Sequence, residues 1–180
     1  MATWNSRGLR GSTLEDILNH TIKRYEEQGL ALIQKVPTPI TPITIDKEKR
    51  HITLAYFEKI SSVDYIGVVQ GIPVCFDAKE CTSRTFPLAN VHEHQMEFMR
   101  KYEAQQGLAF LILYYTKENS IYYMRFSEID RYWTRMKEGG RKSFTYEELD
   151  ARFLFSFTGN HIPVLNYIQR DLDERESFSH

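Results

Sequence analysis

The sequence predicts a mixed α/β domain in which one central sheet is covered by helices, and three features carry that prediction. Amphipathic helical stripes are interspersed with short strand-like runs along the chain. Leu108–Tyr115 is a near-continuous apolar run, the pattern of a strand buried on both faces. Gln70-Gly71 is a two-residue turn joining two alternating runs as a tight antiparallel hairpin. With 180 residues, 42% of them apolar and 11 each of Phe and Tyr, the chain can build one hydrophobic core and is too short for two ordinary domains. A single domain over residues 1–180 is expected.

In chain order, residues 1–12 read as a flexible basic arm containing Arg7 and Arg10, which either lies along phosphates or stays a solvated tail. A helix begins at Ser12, which has capping-box spacing to Glu15. It carries Leu14, Ile17, Leu18, Thr21, Ile22 and Tyr25 on one stripe and ends at Gly29. Residues 30–36 form a strand that runs into Pro37, Pro39 and Pro42, which exclude a central strand there. The chain then passes through Ile43 and Ile45, turns in the charged segment 46–50 and returns over 51–57. About residues 37–57 thus form a projecting β-hairpin, a stalk, with Lys47, Lys49 and Arg50 at its tip. Such a projection is a contact device; the plainer reading is an ordinary long loop. Strands over 64–69 and 72–79 follow, then a polar loop with Arg84, and a helix over 92–106 ending at Gly107. A strand pair over 108–115 and 121–126 leads to a helix that Ser127 should cap. The remainder, with Arg141, Lys142, a short acidic helix and a final segment over 163–173, closes the domain or an oligomer contact.

The Gln70-Gly71 turn also fixes which residues face each other: Val69 faces Ile72, Asp64 faces Asp77, and Ser62 faces Lys79. Directly opposite side chains on one face lie about 4.5–5.5 Å apart at Cβ, so two carboxylates converge. Along the second strand Ile72, Val74, Phe76 and Ala78 alternate with Cys75, Asp77 and Lys79, which places acid and lysine on one face. Pro73 cannot donate to the ladder, and a bulge there would shift the register by one. Two close carboxylates repel unless a cation holds them, and hard oxygen ligands suit Mg²⁺ or Mn²⁺. Such a cation lowers the pKa of an attacking water and neutralises phosphoryl charge, while an adjacent ammonium, here Lys79, orients the water or stabilises the transition state. An Asp followed two residues later by a Lys is common on surface strands. The paired upstream Asp64 and a following helix with Gln95 near its start are what distinguish this one.

Composition excludes some classes. Lys and Arg number 23 against 24 Asp and Glu, so bulk charge does not announce a nucleic-acid binder. No stretch is long or apolar enough to span a bilayer, and the first residues lack the apolar core of a secretory signal, so a cytoplasmic protein without membrane contact is expected. Cys75 and Cys81 have neither zinc-site nor disulfide-framework spacing and read as reduced thiols.

The run Phe86-Pro87-Leu88-Ala89-Asn90-Val91-His92-Glu93-His94-Gln95, after Phe76-Asp77-Ala78-Lys79-Glu80, closely resembles the RecU Holliday junction resolvases. Thr13-Leu14-Glu15, Lys35-Val36-Pro37-Thr38-Pro39, Ala55-Tyr56-Phe57 and Gly140-Arg141-Lys142-Ser143 are similar too, so the resemblance spans nearly the whole chain. It implies a restriction-endonuclease-like fold and a homodimer that binds four-way DNA junctions, cuts two strands symmetrically with Mg²⁺ (or Mn²⁺) and inserts the stalk at the junction centre. A recombinase is an implied partner. The family's metal ligands fall on Ser62, Asp64, Asp77 and the side-chain oxygen of Gln95, and its transition-state lysine on Lys79. This chain departs in having Asp77 where Glu is usual, Ser62 where Thr is usual, a loop before Phe86 one residue shorter, and near-zero net charge. Weaker, more salt-sensitive DNA binding is expected from the last.

Arg7, Arg10, Lys47, Lys49, Arg50, Arg84, Arg141 and Lys142 are the basic residues of arms, tips and loops expected to meet phosphates, each otherwise a solvated charge. His92 and His94, two apart, should point away from each other on a helix, which argues against a shared metal. Met96, Phe98 and Met99 read as core, and Tyr56 and Phe57 either stack on bases or pack inside. Alternative functions are a junction-binding accessory protein without cleavage and a duplex-specific restriction-type endonuclease on the same fold.

Overall fold

The structure is a computed structural model describing residues 13–37, 39–57, 63–157 and 161–177. Helix α1 (Thr13–Glu27) leads into β1 (Ala31–Lys35), then β2 (Ile40–Asp46) and β3 (His51–Phe57), then β4 (Tyr65–Val69) and β5 (Ile72–Cys81). Next come β6 (Thr85–Pro87), α2 (Glu93–Ala104), β7 (Leu108–Tyr115), β8 (Ser120–Arg125) and α3 (Phe126–Lys137). The chain finishes with β9 (Ser143–Thr145), β10 (Leu154–Ser156) and α4 (Val164–Ser177). Six strands form the central sheet in the order β1-β4-β5-β7-β8-β10. The β5–β7 pair is parallel and the other pairs are antiparallel, a mixed sheet. A parallel neighbour needs a crossover, and α2 lies within it.

Gln70 and Gly71 both take positive φ, 47° and 90°, as the tight two-residue hairpin requires. The register is as the turn dictates, with Val69 opposite Ile72 and Tyr65 opposite Phe76, and Val68 pairs with Pro73 without a bulge. Gly67 is required for another reason: a Cβ there would lie 2.3 Å from the Leu32 carbonyl oxygen, so β1 crosses too closely for any side chain.

Tyr65, Phe76, Phe110 and Tyr123 stack in a row across one face, with successive centroids 4.7, 4.7 and 4.5 Å apart. Helix α1 covers this face: Leu14, Leu18, Ile22 and Tyr25 are buried there, and Asn19 accepts from the Tyr65 hydroxyl at 3.1 Å. Helix α4 joins it by a polar lock. Tyr123 donates to Asp171 at 3.1 Å, and Arg175 bridges Asp171 and Glu103 at 2.9 and 2.7 Å. Helices α2 and α3 cover the other face, with Met96 and Met99 buried and Tyr122 donating to Glu128 at 2.6 Å.

The stalk forms as a separate two-stranded ribbon, β2 with β3, bulged around Ile43. Ile40, Ile43, Ile45, Ile52, Leu54 and Tyr56 are exposed along it, so Tyr56 is not packed inside. At the tip the Asp46 carboxylate accepts from the N–H groups of Glu48 and Lys49, and Arg50 sits at φ 53°. Three expectations need correction. Ser127 lies inside α3, with Arg125 at the cap position, because β8 runs directly into the helix. The short acidic helix is one 3-10 turn, Tyr146–Glu148. The final helix reaches Ser177, held by Arg175 near its end. Among the described residues, no helix is long and apolar enough to cross a membrane.

Candidate active site

Asp77 is fully buried in the middle of β5, and the α2 face of the sheet brings three donors to its carboxylate. The backbone N–H of Asp64 donates to Oδ1 at 2.8 Å. The Gln95 amide nitrogen donates to Oδ2 at 2.5 Å, and the Lys79 ammonium reaches the same oxygen at 2.7 Å. Asp64, one residue before β4, accepts from the Ala78 N–H at 3.3 Å, so each acid is held by the other's strand. Burial, the negative charge of Asp77 and a hydrogen bond with it push the Asp64 carboxyl up to about 6, against the smaller pull of Lys79 and the Ala78 N–H. A hard cation between the acids would relieve that cost. Two carboxylates leave the rest of its shell to water and to substrate phosphate, which is how Mg²⁺ is usually bound.

Alternation along β5 puts Glu80 on the α1 face, where it accepts from the Leu14 N–H at 3.0 Å and caps that helix. Glu15 pairs with Lys35 on the same face, away from Lys79 and Gln95. Sequence reading missed Glu80, which its place one residue beyond Lys79 did not betray. It also missed that Gln95 closes a capping box: the side-chain oxygen accepts from the His92 N–H at 2.9 Å. The spacing His92-x-x-Gln95 carries that signal, although histidine is an unusual first member. His92 and His94 do not point apart. Their rings stack at 5.4 Å and 15°, because His92 is the extended residue preceding α2, where helical spacing does not apply.

Ser62, Arg7 and Arg10 lie outside the described residues. Lys47, Lys49 and Arg50 are exposed at the stalk tip, and Lys142 is exposed between α3 and β9. Arg84 is partnered at the surface: it pairs with Glu147 and Glu118 at 2.8 and 3.1 Å and lies over the Tyr146 ring. Arg141 is 3.6 Å from Glu148.

Comparison with known proteins gives a consistent answer. Residues 9–170 match the family described as RecU, Recombination protein U. A protein of a Geobacillus species named "Holliday junction resolvase RecU" is 37% identical over 177 residues, 96% of this chain and 87% of that one. Proteins of the same name from Geobacillus kaustophilus and Bacillus licheniformis are 40% and 42% identical, covering 88% and 89% of this chain and 81% of each relative. Among solved structures, the Archaeoglobus fulgidus Holliday junction resolvase Hjc aligns with TM-score 0.40 and 6% identity over 62% of this chain and 75% of that one, too distant to bear on the fold. On the family match and on identity across nearly its whole length, this chain belongs to the RecU family.

Proposed function

We propose that the protein is a Mg²⁺-dependent endonuclease that resolves four-way DNA junctions. The observation that carries the reading is the cluster of Asp64, Asp77 and Lys79 on one sheet face, with Lys79 2.7 Å from Asp77. Membership of a family whose relatives are named Holliday junction resolvases supplies the substrate.

Asp64 and Asp77 would hold the cation, Mg²⁺ or Mn²⁺, with the side-chain oxygens of Ser62 and Gln95 as further ligands on family resemblance. When bound there, the cation would supply an acidified water and neutralise charge on the phosphoryl oxygens. Lys79, tethered by Asp77, places its ammonium against the negative charge that develops as water adds to phosphorus and the P–O bond to the leaving sugar oxygen breaks. Two symmetric cuts need two such sites, so the working form is a homodimer. The exposed apolar residues of the stalk, together with Leu32 and Val68 facing each other across β1 and β4, support contact with a second copy or with unpaired bases. Lys47, Lys49 and Arg50 would carry the stalk tip along phosphates, and Arg7, Arg10, Arg84, Arg141 and Lys142 would meet further phosphates of the junction. Arg84 and Arg141 would first have to exchange their glutamates for phosphate. A recombinase partner and a cytoplasmic location complete the proposed reading.

The test is cleavage of an end-labelled four-way junction and its matching linear duplex, with and without Mg²⁺, by the wild type and Asp77→Ala. Paired symmetric nicks in the junction, lost in the variant, are expected. Binding without nicks would instead mark an accessory protein, and equal duplex cutting a general endonuclease.

A further inference from the structure

We propose that the cleft between α3 and the 3-10 turn Tyr146–Glu148 is a backbone-phosphate site for one duplex arm of the junction, in which the Glu148 carboxylate occupies the place of a DNA phosphate until the arm arrives. Arg131 and Arg135 hold that phosphate. The proposal rests on the junction reading above and adds a second place, away from the cation, where the arm is gripped.

The whole chain carries 23 basic against 24 acidic residues, so a grip on DNA has to come from a local excess of positive charge. Arg131, Arg135, Arg141 and Lys142 supply one around the single carboxylate of Glu148. Neighbouring acids are engaged elsewhere: Asp130 with Arg100, Glu147 with Arg84, and the buried Glu128 with Tyr122. A cleft of about 340 Å³ is lined by Arg131, Tyr132, Arg135 and Glu148. The two arginines are about one turn apart on α3, and both lie against the Tyr132 ring, 5.0 and 4.9 Å from its centroid. Arg131 is exposed and forms no ion pair among the described residues.

Glu148 is surrounded by the donors of an anion site. Arg135 donates to Oε1 at 2.8 Å, Arg141 lies 3.6 Å from Oε2, and the Thr145 backbone N–H donates to Oε2 at 2.8 Å. Guanidinium groups and backbone N–H groups are also what takes up phosphodiester oxygens. Arg135 is aimed in advance by the Ser143 carbonyl, which accepts from it at 2.7 Å, while its buried Nε has no hydrogen-bond partner among the described residues, so the carboxylate leaves this guanidinium incompletely paired. Lys137 pairs with Glu93 at 2.6 Å and the Lys142 carbonyl accepts from the Leu88 N–H at 3.0 Å, both beside the start of α2, where Gln95 meets Asp77. Arg131 lies about 9 Å back along the α3 axis from Lys137. Lys142 and Arg141 are thus nearer the acids, and the cleft lies farther along one arm.

Two variants with opposite expected effects test the site, in binding to a long-armed four-way junction without Mg²⁺ so that no strand is cut. Arg131→Ala removes an exposed phosphate partner and should flatten the slope of log affinity against log salt by about 1, which is about a fourfold smaller loss of affinity between about 50 and 200 mM salt. Glu148→Gln keeps an oxygen for the Thr145 N–H and removes the charge, so binding should tighten about fivefold, the effect of one unit charge about 4 Å from a phosphate in water. In hydroxyl-radical footprints the wild type should protect a stretch of one arm beyond the scissile phosphate, and Arg131→Ala should lose that stretch while keeping protection at the junction centre. Lys101→Ala, which removes an exposed lysine from the far half of α2, should change neither slope nor footprint. An unchanged slope or footprint in Arg131→Ala, binding no tighter in Glu148→Gln, or an equal effect of Lys101→Ala overturns the arm site, while junction nicking by the wild type with Mg²⁺ keeps the resolvase reading. A wild type that neither binds nor nicks the junction overturns both.

Discussion

The backbone N–H of Asp64 donates to the Asp77 carboxylate at 2.8 Å, so the hairpin that sets the two acids opposite each other also orients one through the main chain of the other. A carboxylate accepting from backbone is fixed more firmly than one held by side chains alone, because the sheet ladder immobilises the donor. The backbone therefore positions both acids, and their charge is unbalanced in a way that can be measured.

The Asp64 carboxyl is raised to about 6 in the folded protein, above its ordinary value near 3.8. A raised acid stabilises the fold fully below its unfolded pKa, and that contribution is lost as pH climbs through the folded value. Metal-free protein should lose stability between about pH 4 and pH 6, on the order of 1–2 kcal/mol after discounting for the solvent that reaches this half-buried group. Thermal melts of the wild type and Asp64→Asn across this range check it: the loss should be smaller in the variant. Mg²⁺ at 100 times its Kd should restore about 2.7 kcal/mol above pH 6.

Lys79→Met should leave the carboxylates able to bind a cation and remove the ammonium that meets the developing charge. Cleavage of a four-way junction is expected to fall about 100-fold or more, on the scale of other single transition-state donors. Calorimetric Mg²⁺ affinity should not weaken, since a positive neighbour has been removed. A parallel collapse of Mg²⁺ binding would show that Lys79 is needed to build the site.

Among the described residues the stalk ribbon β2–β3 is a two-stranded sheet apart from the six-stranded one, so its tip is separable from stability. Replacing Lys47, Lys49 and Arg50 by alanine should leave the melting temperature unchanged within about 1 °C, as surface changes usually do. If each residue meets one phosphate, the slope of log affinity for the junction against log salt should flatten by about 2–3. An unchanged slope would remove the tip from the DNA interface.

Tyr123→Phe deletes the buried hydroxyl that donates to Asp171 at 3.1 Å and leaves the ring stacked on Phe110 at 4.5 Å. Stability should drop by about 1.5–3 kcal/mol, the usual contribution of one hydrogen bond to a charged partner, with Arg175 still holding Asp171. Chemical denaturation measures it. Cleavage at saturating Mg²⁺ should be unaffected, because the lock lies on the face away from Asp77.

Much of the site was legible because it depends on local spacing. A two-residue turn fixes register, and a period of two fixes the face, so Gln70-Gly71 placed Asp64 against Asp77 without knowledge of any other strand. The same alternation placed Lys79 with Asp77, and prolines with exposed isoleucines marked the stalk. Where local rules failed, the cause was equally specific. His92 and His94 stack because one of them precedes the helix, and Ser127 does not cap because β8 leaves no linker before α3.

The sequence by itself determined the strand register, the facing acids, the lysine beside them and the buried strand Leu108–Tyr115, all set by steric periodicity within a few residues. Only the tertiary structure decided the partners. Arg84 meets Glu147 across 63 positions, Arg175 meets Glu103 across 72, and the Gln95 amide faces Asp77 with its nitrogen because the His92 N–H claims its oxygen. Periodicity tells which face a side chain occupies; which charge or amide end waits there depends on how distant elements pack, and a buried polar group takes the partner that packing leaves it.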